Sequence, residues 1–183
     1  MGMSAQPVYV TADMVRAMPD DGMRHETVYG EHQVSPTPRL LHQLVVHRLT
    51  HLIERYLAAQ PVGLVFGNGG DISWGPDSLV VPDILVAPQR EVRTLDWKNV
   101  RTLLLVVEVL SPSNPRWDRF TKRHLYQEAG VPLFWIIDAD RRSVEVWTPG
   151  ARFPAVTDTE LRWYPSGATS ECIISLQELF RPV

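Results

Sequence analysis

An α/β domain, a central mixed sheet covered by helices, is the fold class this sequence predicts, and three observations predict it. The first is a pair of short aliphatic runs, LVVPDILVAP and LLLVVEVLSPS, which read as strands covered on both faces. The second is that segments of helical periodicity precede and separate such strands along the chain. The third is length: 183 residues suffice for one substantial core and are too few for two, so a single domain spanning 1–183 is expected.

Each element has its own local reason. Thr11 is suited to cap a short helix with Asp13 in its first turn, and Pro19-Asp20-Asp21-Gly22 ends it. His25 to Val34 reads as a hairpin turning near Gly30. After the loop Ser35-Pro36-Thr37-Pro38, Leu41, Leu44, Val45, Leu49, Leu52, Ile53, Tyr56 and Leu57 recur at helical spacing, giving the longest helix, about Pro38 to Ala59. Gln60-Pro61 stops it. Strands VGLVFGN, DISW, LVVPDILVAP and LLLVVEVL follow, and the glycines of GNGGD mark a bend or bulge. A polar, partly helical connection spans Gln89 to Arg101. Asp118 is read as the N-cap of a helix ending at Ala129, with Gly130 as its C′ residue. LFWIID and SVEVWTP are strands joined by a turn at Asp138 to Arg142, and SLQELF is a short closing helix.

Composition narrows the function classes. A net charge of −3 gives no global basic signal for coating nucleic acid, although a local basic face remains open. The single Cys172 excludes an intramolecular disulfide. No run approaches a spanning helix, and MGMSAQPVYVTADM lacks the charged-then-apolar order of a secretory leader, so a cytoplasmic protein without membrane contact is expected. His47 and His51 share zinc-compatible spacing, but no third ligand accompanies them, and surface histidines are the better reading.

Asp83 and Glu108 stand out because each puts a carboxylate into an aliphatic run; Glu108 follows five aliphatic residues, Leu103 to Val107. An ion there loses its hydration unless a cation or dense hydrogen bonding replaces it. The bland reading is that both sit at strand ends and cap loops. Lys122 shares a helix face with Leu125, Tyr126 and Ala129, so its amine is expected to turn toward the sheet and return within reach of Glu108. Carboxylates gathered with a lysine suit Mg²⁺ or Mn²⁺ and the stabilisation of a phosphodiester under attack.

The blocks VPDILVAP, LLLVVEVLSPSN and WDRFTKRHLYQEAGVPLFWIIDADRRSVEVW, with the early DGMRHETVYGE and a histidine, His42, after the SPTPRL loop, resemble the Uma family of restriction-endonuclease-like proteins, in the PD-(D/E)XK nuclease superfamily. The resemblance implies a restriction-endonuclease-like fold. It also implies that Asp83 is the acid of the PD motif, that Glu108 is the second acid, and that Lys122 is the lysine relocated to the following helix, since Leu110 stands two residues after Glu108. Glu26 matches the family's early glutamate, while Asp118 and Tyr126 match supporting positions. His25 replaces the usual tyrosine, and Leu133-Phe134 replaces a common Glu-Tyr pair.

The resulting expectation is a Mg²⁺- or Mn²⁺-dependent endonuclease hydrolysing DNA. Asp83, Glu108 and the Val109 carbonyl would be metal ligands, Lys122 the charge stabiliser and Glu26 an auxiliary acid. A non-catalytic nucleic-acid or protein binding module retaining the fold is the alternative, and an enzyme acting on a smaller phosphate ester a weaker third. Six tryptophans, with Trp135 and Trp147 near strands taken as sheet edges, lead to the further expectation of a homodimer burying aromatic surface.

Overall fold

The chain passes from one sheet into another at Pro82-Asp83, and that corner sets the architecture. A computed structural model describes residues 8–112 and 115–183. The start of the segment read for a leader, residues 1–7, and two residues of the connection after Glu108, 113–114, lie outside the described residues.

Helix α1 (Ala12–Arg16) is capped as its sequence requires, the Thr11 hydroxyl accepting from the Met14 N–H at 3.2 Å. Strands β1 (Arg24–Val28) and β2 (Glu31–Ser35) form the hairpin. Tyr29 and Gly30 both take positive φ, 53° and 79°, as a two-residue turn matched to strand twist demands. Helix α2 (Leu40–Ala59) follows, then β3 (Gly63–Gly67), β4 (Ile72–Gly75), β5 (Ser78–Val80) and β6 (Ile84–Pro88). Asn68 and Gly70 turn the chain between β3 and β4 with φ of 55° and 107°. The connection after β6 holds α3 (Gln89–Val92) and a 3-10 turn at Trp97–Asn99. Beyond β7 (Leu105–Val109), a π-helical stretch, Trp117–Lys122, runs into α4 (Arg123–Glu128). The chain closes with β8 (Phe134–Asp138), β9 (Ser143–Trp147), β10 (Ala155–Thr157), β11 (Glu160–Trp163), β12 (Cys172–Ser175) and α5 (Leu176–Leu179).

A six-stranded mixed sheet, ordered β10-β9-β8-β7-β6-β3, is the centre, and a four-stranded sheet, β2-β1-β5-β4, stands beside it. In the large sheet only β7 and β8 run parallel. Parallel neighbours need a crossover, and the π/α4 helix supplies it. Side-chain alternation divides the core in two. Ile84, Val86, Leu105, Val107 and Ile137 pack with Val45, Leu49 and Ile53 of α2, whereas Leu85, Val106 and Ile136 pack with Leu125 and Tyr126 of the crossover. The expected strands β6 and β7 are therefore adjacent, central and covered on both faces.

Three expectations are corrected. LVVPDILVAP is not one strand: Leu79 and Val80 belong to β5 in the small sheet, and β6 begins only at Ile84. Pro82 has no N–H to continue a ladder, so the break falls there. Asp118 is no N-cap, because the helix already includes Trp117 and the Asp118 carboxylate lies toward Lys122 at 3.9 Å. Trp135 and Trp147 are not near sheet edges either. β8 and β9 are interior strands, and the two side chains are buried within the chain, so neither offers the aromatic dimer surface expected of it.

Candidate active site

Strand register brings the two acids together. Ile84 pairs with Val107 across β6 and β7, so one further step sets Asp83 opposite Glu108. Asp83 has the parity of Leu85 and Glu108 that of Val106, so both occupy the face covered by the crossover helix. A contact ties them: the Val109 N–H donates to Asp83 Oδ2 at 2.9 Å. Both carboxylates are only 2% exposed.

Asp83 is held from two further directions. Arg24 Nη1, from β1, donates to Oδ1 at 2.7 Å, and His42 Nε2, from the first turn of α2, lies 3.0 Å from Oδ2. Glu108 has a different environment. Its Oε1 is 2.5 Å from Lys122 Nζ and accepts from the Tyr126 hydroxyl at 2.7 Å. The same ammonium reaches Glu26 Oε1 at 2.9 Å, and Glu26 also accepts from the Val81 N–H at 2.8 Å. Lys122 does not snorkel to water: it is 1% exposed and lies between two acids from different sheets.

The π-helical stretch explains how the lysine gets there. Trp117 and Lys122, five residues apart, would diverge by about 140° on an α-helix. The wider π turn aligns residues five apart, so both point inward and both are buried. Four residues later Tyr126 continues the same face onto Glu108.

The acids respond to these surroundings in opposite directions. Burial alone would raise Asp83, but the hydrogen bond and charge of His42, with the charges of Arg24 and Lys122, hold it well below the ordinary carboxylate range. Burial pushes Glu108 far up; Lys122 opposes this, while the neighbouring charges of Asp83, Asp118 and Glu26 add to it. Asp118 is pushed up to about 7, chiefly by burial, with Lys122 opposing and Asp83 and Glu26 reinforcing. Lys122 stays charged because four carboxylates outweigh its own desolvation. Acids driven apart in this way are a mark of functional sites.

A pH dependence of stability follows. Glu108 and Asp118 hold protons in the folded state that the unfolded chain releases near pH 4, so their burial becomes costlier as pH rises from there toward their folded values. Asp83 acts the other way: its contribution is present above its unfolded value and is lost as pH falls below it. The metal-free protein is expected to melt several degrees higher at pH 5.5 than at pH 8. Glu108→Gln should flatten that difference, as differential scanning calorimetry can check; an unchanged slope would contradict the assignment.

The expected residues Glu26, Asp83, Glu108 and Lys122 thus converge on one cavity of about 50 Å³, which Val109 also lines. Two members were not put in the site from sequence, Arg24 and His42. Arg24 lies two residues before Glu26 on one strand and so shares its face, a usable signal. His42 keeps helical spacing with Val45, Val46 and Leu49 and so belongs to the buried face of α2. Elsewhere, His47 and His51 are exposed, and burial lifts the Cys172 thiol to about 11, away from nucleophilic use.

Among the described residues no three or more His, Cys, Asp or Glu side chains form a metal cage. The donor chemistry nevertheless fits a hard divalent ion sharing two acids. Glu26, Asp83, Glu108 and Asp118 outnumber the fixed cations Arg24 and Lys122, and that negative excess adds to burial in raising Glu108 and Asp118. Carboxylate oxygens have lone pairs to spare beside one hydrogen bond. His42 Nδ1, buried and without a partner among the described residues, leaves a further polar atom to satisfy.

Comparison with known proteins agrees with this picture. A family model described as "Uma2: Putative restriction endonuclease" matches residues 12–168. No curated protein sequence matches the chain. Among solved structures, a protein from Anabaena variabilis ATCC 29413, described as a "putative nuclease belonging to DUF820", superimposes with a TM-score of 0.76 at 23% identity. The match covers 93% of this chain and 97% of that one. At that identity the likeness establishes the fold.

Proposed function

The chain belongs to the Uma2 restriction-endonuclease family, and from that premise we propose that it is a Mg²⁺- or Mn²⁺-dependent endonuclease hydrolysing DNA phosphodiester bonds. One observation carries the reading: Lys122, buried, contacts Glu108 and Glu26 in the same cavity in which Asp83 faces Glu108. A purely structural core has little reason to bury one lysine among four carboxylates.

Asp83 and Glu108, with the Val109 carbonyl, would hold the ion. When bound, it would lower the pKa of a water and offset charge on the phosphodiester. Arg24, partly exposed at the cavity and aimed by Asp83, is placed to meet a phosphate oxygen. Lys122 supplies fixed positive charge beside Glu108, where negative charge grows during attack. Glu26 keeps that ammonium in place, and His42 orients Asp83. Trp117 and Tyr126 close the inner side against solvent, which strengthens each of these interactions.

One observation favours the non-catalytic binding module instead: both Asp83 oxygens and the Lys122 ammonium already have partners. Supercoiled-plasmid nicking beside isothermal titration with Mg²⁺ and Mn²⁺ separates the two. Wild type is expected to bind the ion and nick DNA, and EDTA to stop it. Glu108→Gln should lower nicking by about 10³-fold or more while the protein stays folded. Metal binding without cleavage of DNA, RNA or a simple phosphodiester would establish the binding module.

A further inference from the structure

Away from the cavity, the outer face of α2 and the C-terminal segment enclose a groove of about 390 Å³. Its wall carries His47, Arg48, His51, Arg55 and Arg181 against a single acid, Glu178. Arg48 is structural: its guanidinium donates to the carbonyls of Leu179 at 3.2 Å and Arg181 at 2.5 Å, fixing the C-terminal segment as the second wall. The others are exposed, and among the described residues no carboxylate lies within salt-bridge distance of Arg55 or Arg181. Counting the histidines neutral, three arginines against one glutamate leave a local positive excess in the groove, whereas the whole chain carries −3.

The placement along α2 connects the groove to the cavity. Arg39, Gln43, His47, His51 and Arg55 recur every fourth residue, a row of neighbours rising about 6 Å per step. The row starts beside Pro38, which lines the cavity, and ends in the groove. At the cavity end Arg39 is half-exposed and pairs with Asp140.

We propose that this row and groove form a seat for the phosphate backbone of a nucleic acid whose scissile bond lies at the Asp83–Glu108 cavity. The inference rests on the nuclease reading and extends it to a second surface. Arg55 and Arg181, which have no carboxylate partner among the described residues, fit the phosphates of a polymer, His47 and His51 can add hydrogen bonds to it, and the four-residue row gives that polymer a direction toward the acids.

Binding of a short fluorescent duplex DNA, followed by anisotropy in EDTA over a range of salt, tests this. Arg55→Glu/Arg181→Glu should weaken binding by about tenfold or more and lower the slope of log affinity against log salt by about 0.9 for each phosphate no longer neutralised. Arg90→Glu/Arg93→Glu, exposed substitutions on and beside α3 with the same net charge change, should bind like wild type. The milder Arg55→Gln/Arg181→Gln should fall between, and it serves if the double glutamate variant melts early. Equal weakening by both charge reversals, unchanged binding in the groove variants, or no duplex binding by wild type would overturn the surface. The hydrolase reading is judged separately: nicking by a wild type whose groove variants bind normally removes only the surface, and groove-dependent binding without nicking removes only the enzyme.

Discussion

Asp83→Ala is expected to abolish nicking and also to destabilise the protein by about 3–5 kcal/mol, the usual penalty for breaking one side of a buried ion pair. For a domain of this size that corresponds to a fall in Tm of about 6–20 °C. Burial of charge alone predicts the opposite, a gain on removing a costly carboxylate. The geometry reverses the sign. Arg24 Nη1, His42 Nε2 and the Val109 N–H all converge on Asp83, and alanine leaves them facing a void. Glu108 differs: its folded pKa lies far above the ordinary value, so its ionised form is already disfavoured and a neutral glutamine should be tolerated or stabilising without metal. Thermal melts of the metal-free Asp83→Ala and Glu108→Gln proteins should therefore move in opposite directions. A common direction would show that the two carboxylates are not differently compensated.

Lys122→Ala carries an expected effect of similar size on stability and a separate one on rate. Removing the ammonium leaves Glu26 buried without its cation and makes an ionised Glu108 costlier still, a loss of about 3–5 kcal/mol near neutral pH. Adding Glu108→Gln to Lys122→Ala should recover part of the stability, and a double-mutant cycle measures that coupling. Divalent-ion binding should persist, because the substitution makes the cavity more negative, while nicking should drop by about 10²–10³-fold. Loss of ion binding together with retained nicking would remove Lys122 from the proposed chemistry.

The resemblance to a nuclease family was readable because its residues lie in short, local blocks, and the family match over 12–168 agrees with it. Gathering of Asp83, Glu108 and Lys122 was readable for a physical reason: charges inside aliphatic runs need partners, and helix periodicity put Lys122 inward. Glu26 entered only through the resemblance. What failed was local in appearance and global in cause. Asp118 has the chemistry of an N-cap, yet the crossover opens into a π turn that packs Trp117 and Lys122 inward and carries Asp118 toward the lysine. Trp135 and Trp147 sit in segments that carry no sign of their place in the sheet, and only the order β10-β9-β8-β7-β6-β3 shows those strands to be interior.

By itself the sequence determined the elements whose causes lie within a few residues: the Thr11 cap, the Tyr29-Gly30 turn, the long helix, the aliphatic strands and the C′ Gly130. Only the tertiary structure decided where the sheets part at Pro82-Asp83, that Arg24 and His42 hold Asp83, and that one lysine bridges Glu26 and Glu108. Side-chain periodicity and capping act over one or two turns of chain. Contacts between residues 59 or 96 positions apart, as in Arg24–Asp83 and Glu26–Lys122, depend on strand order and helix placement, which no local pattern encodes.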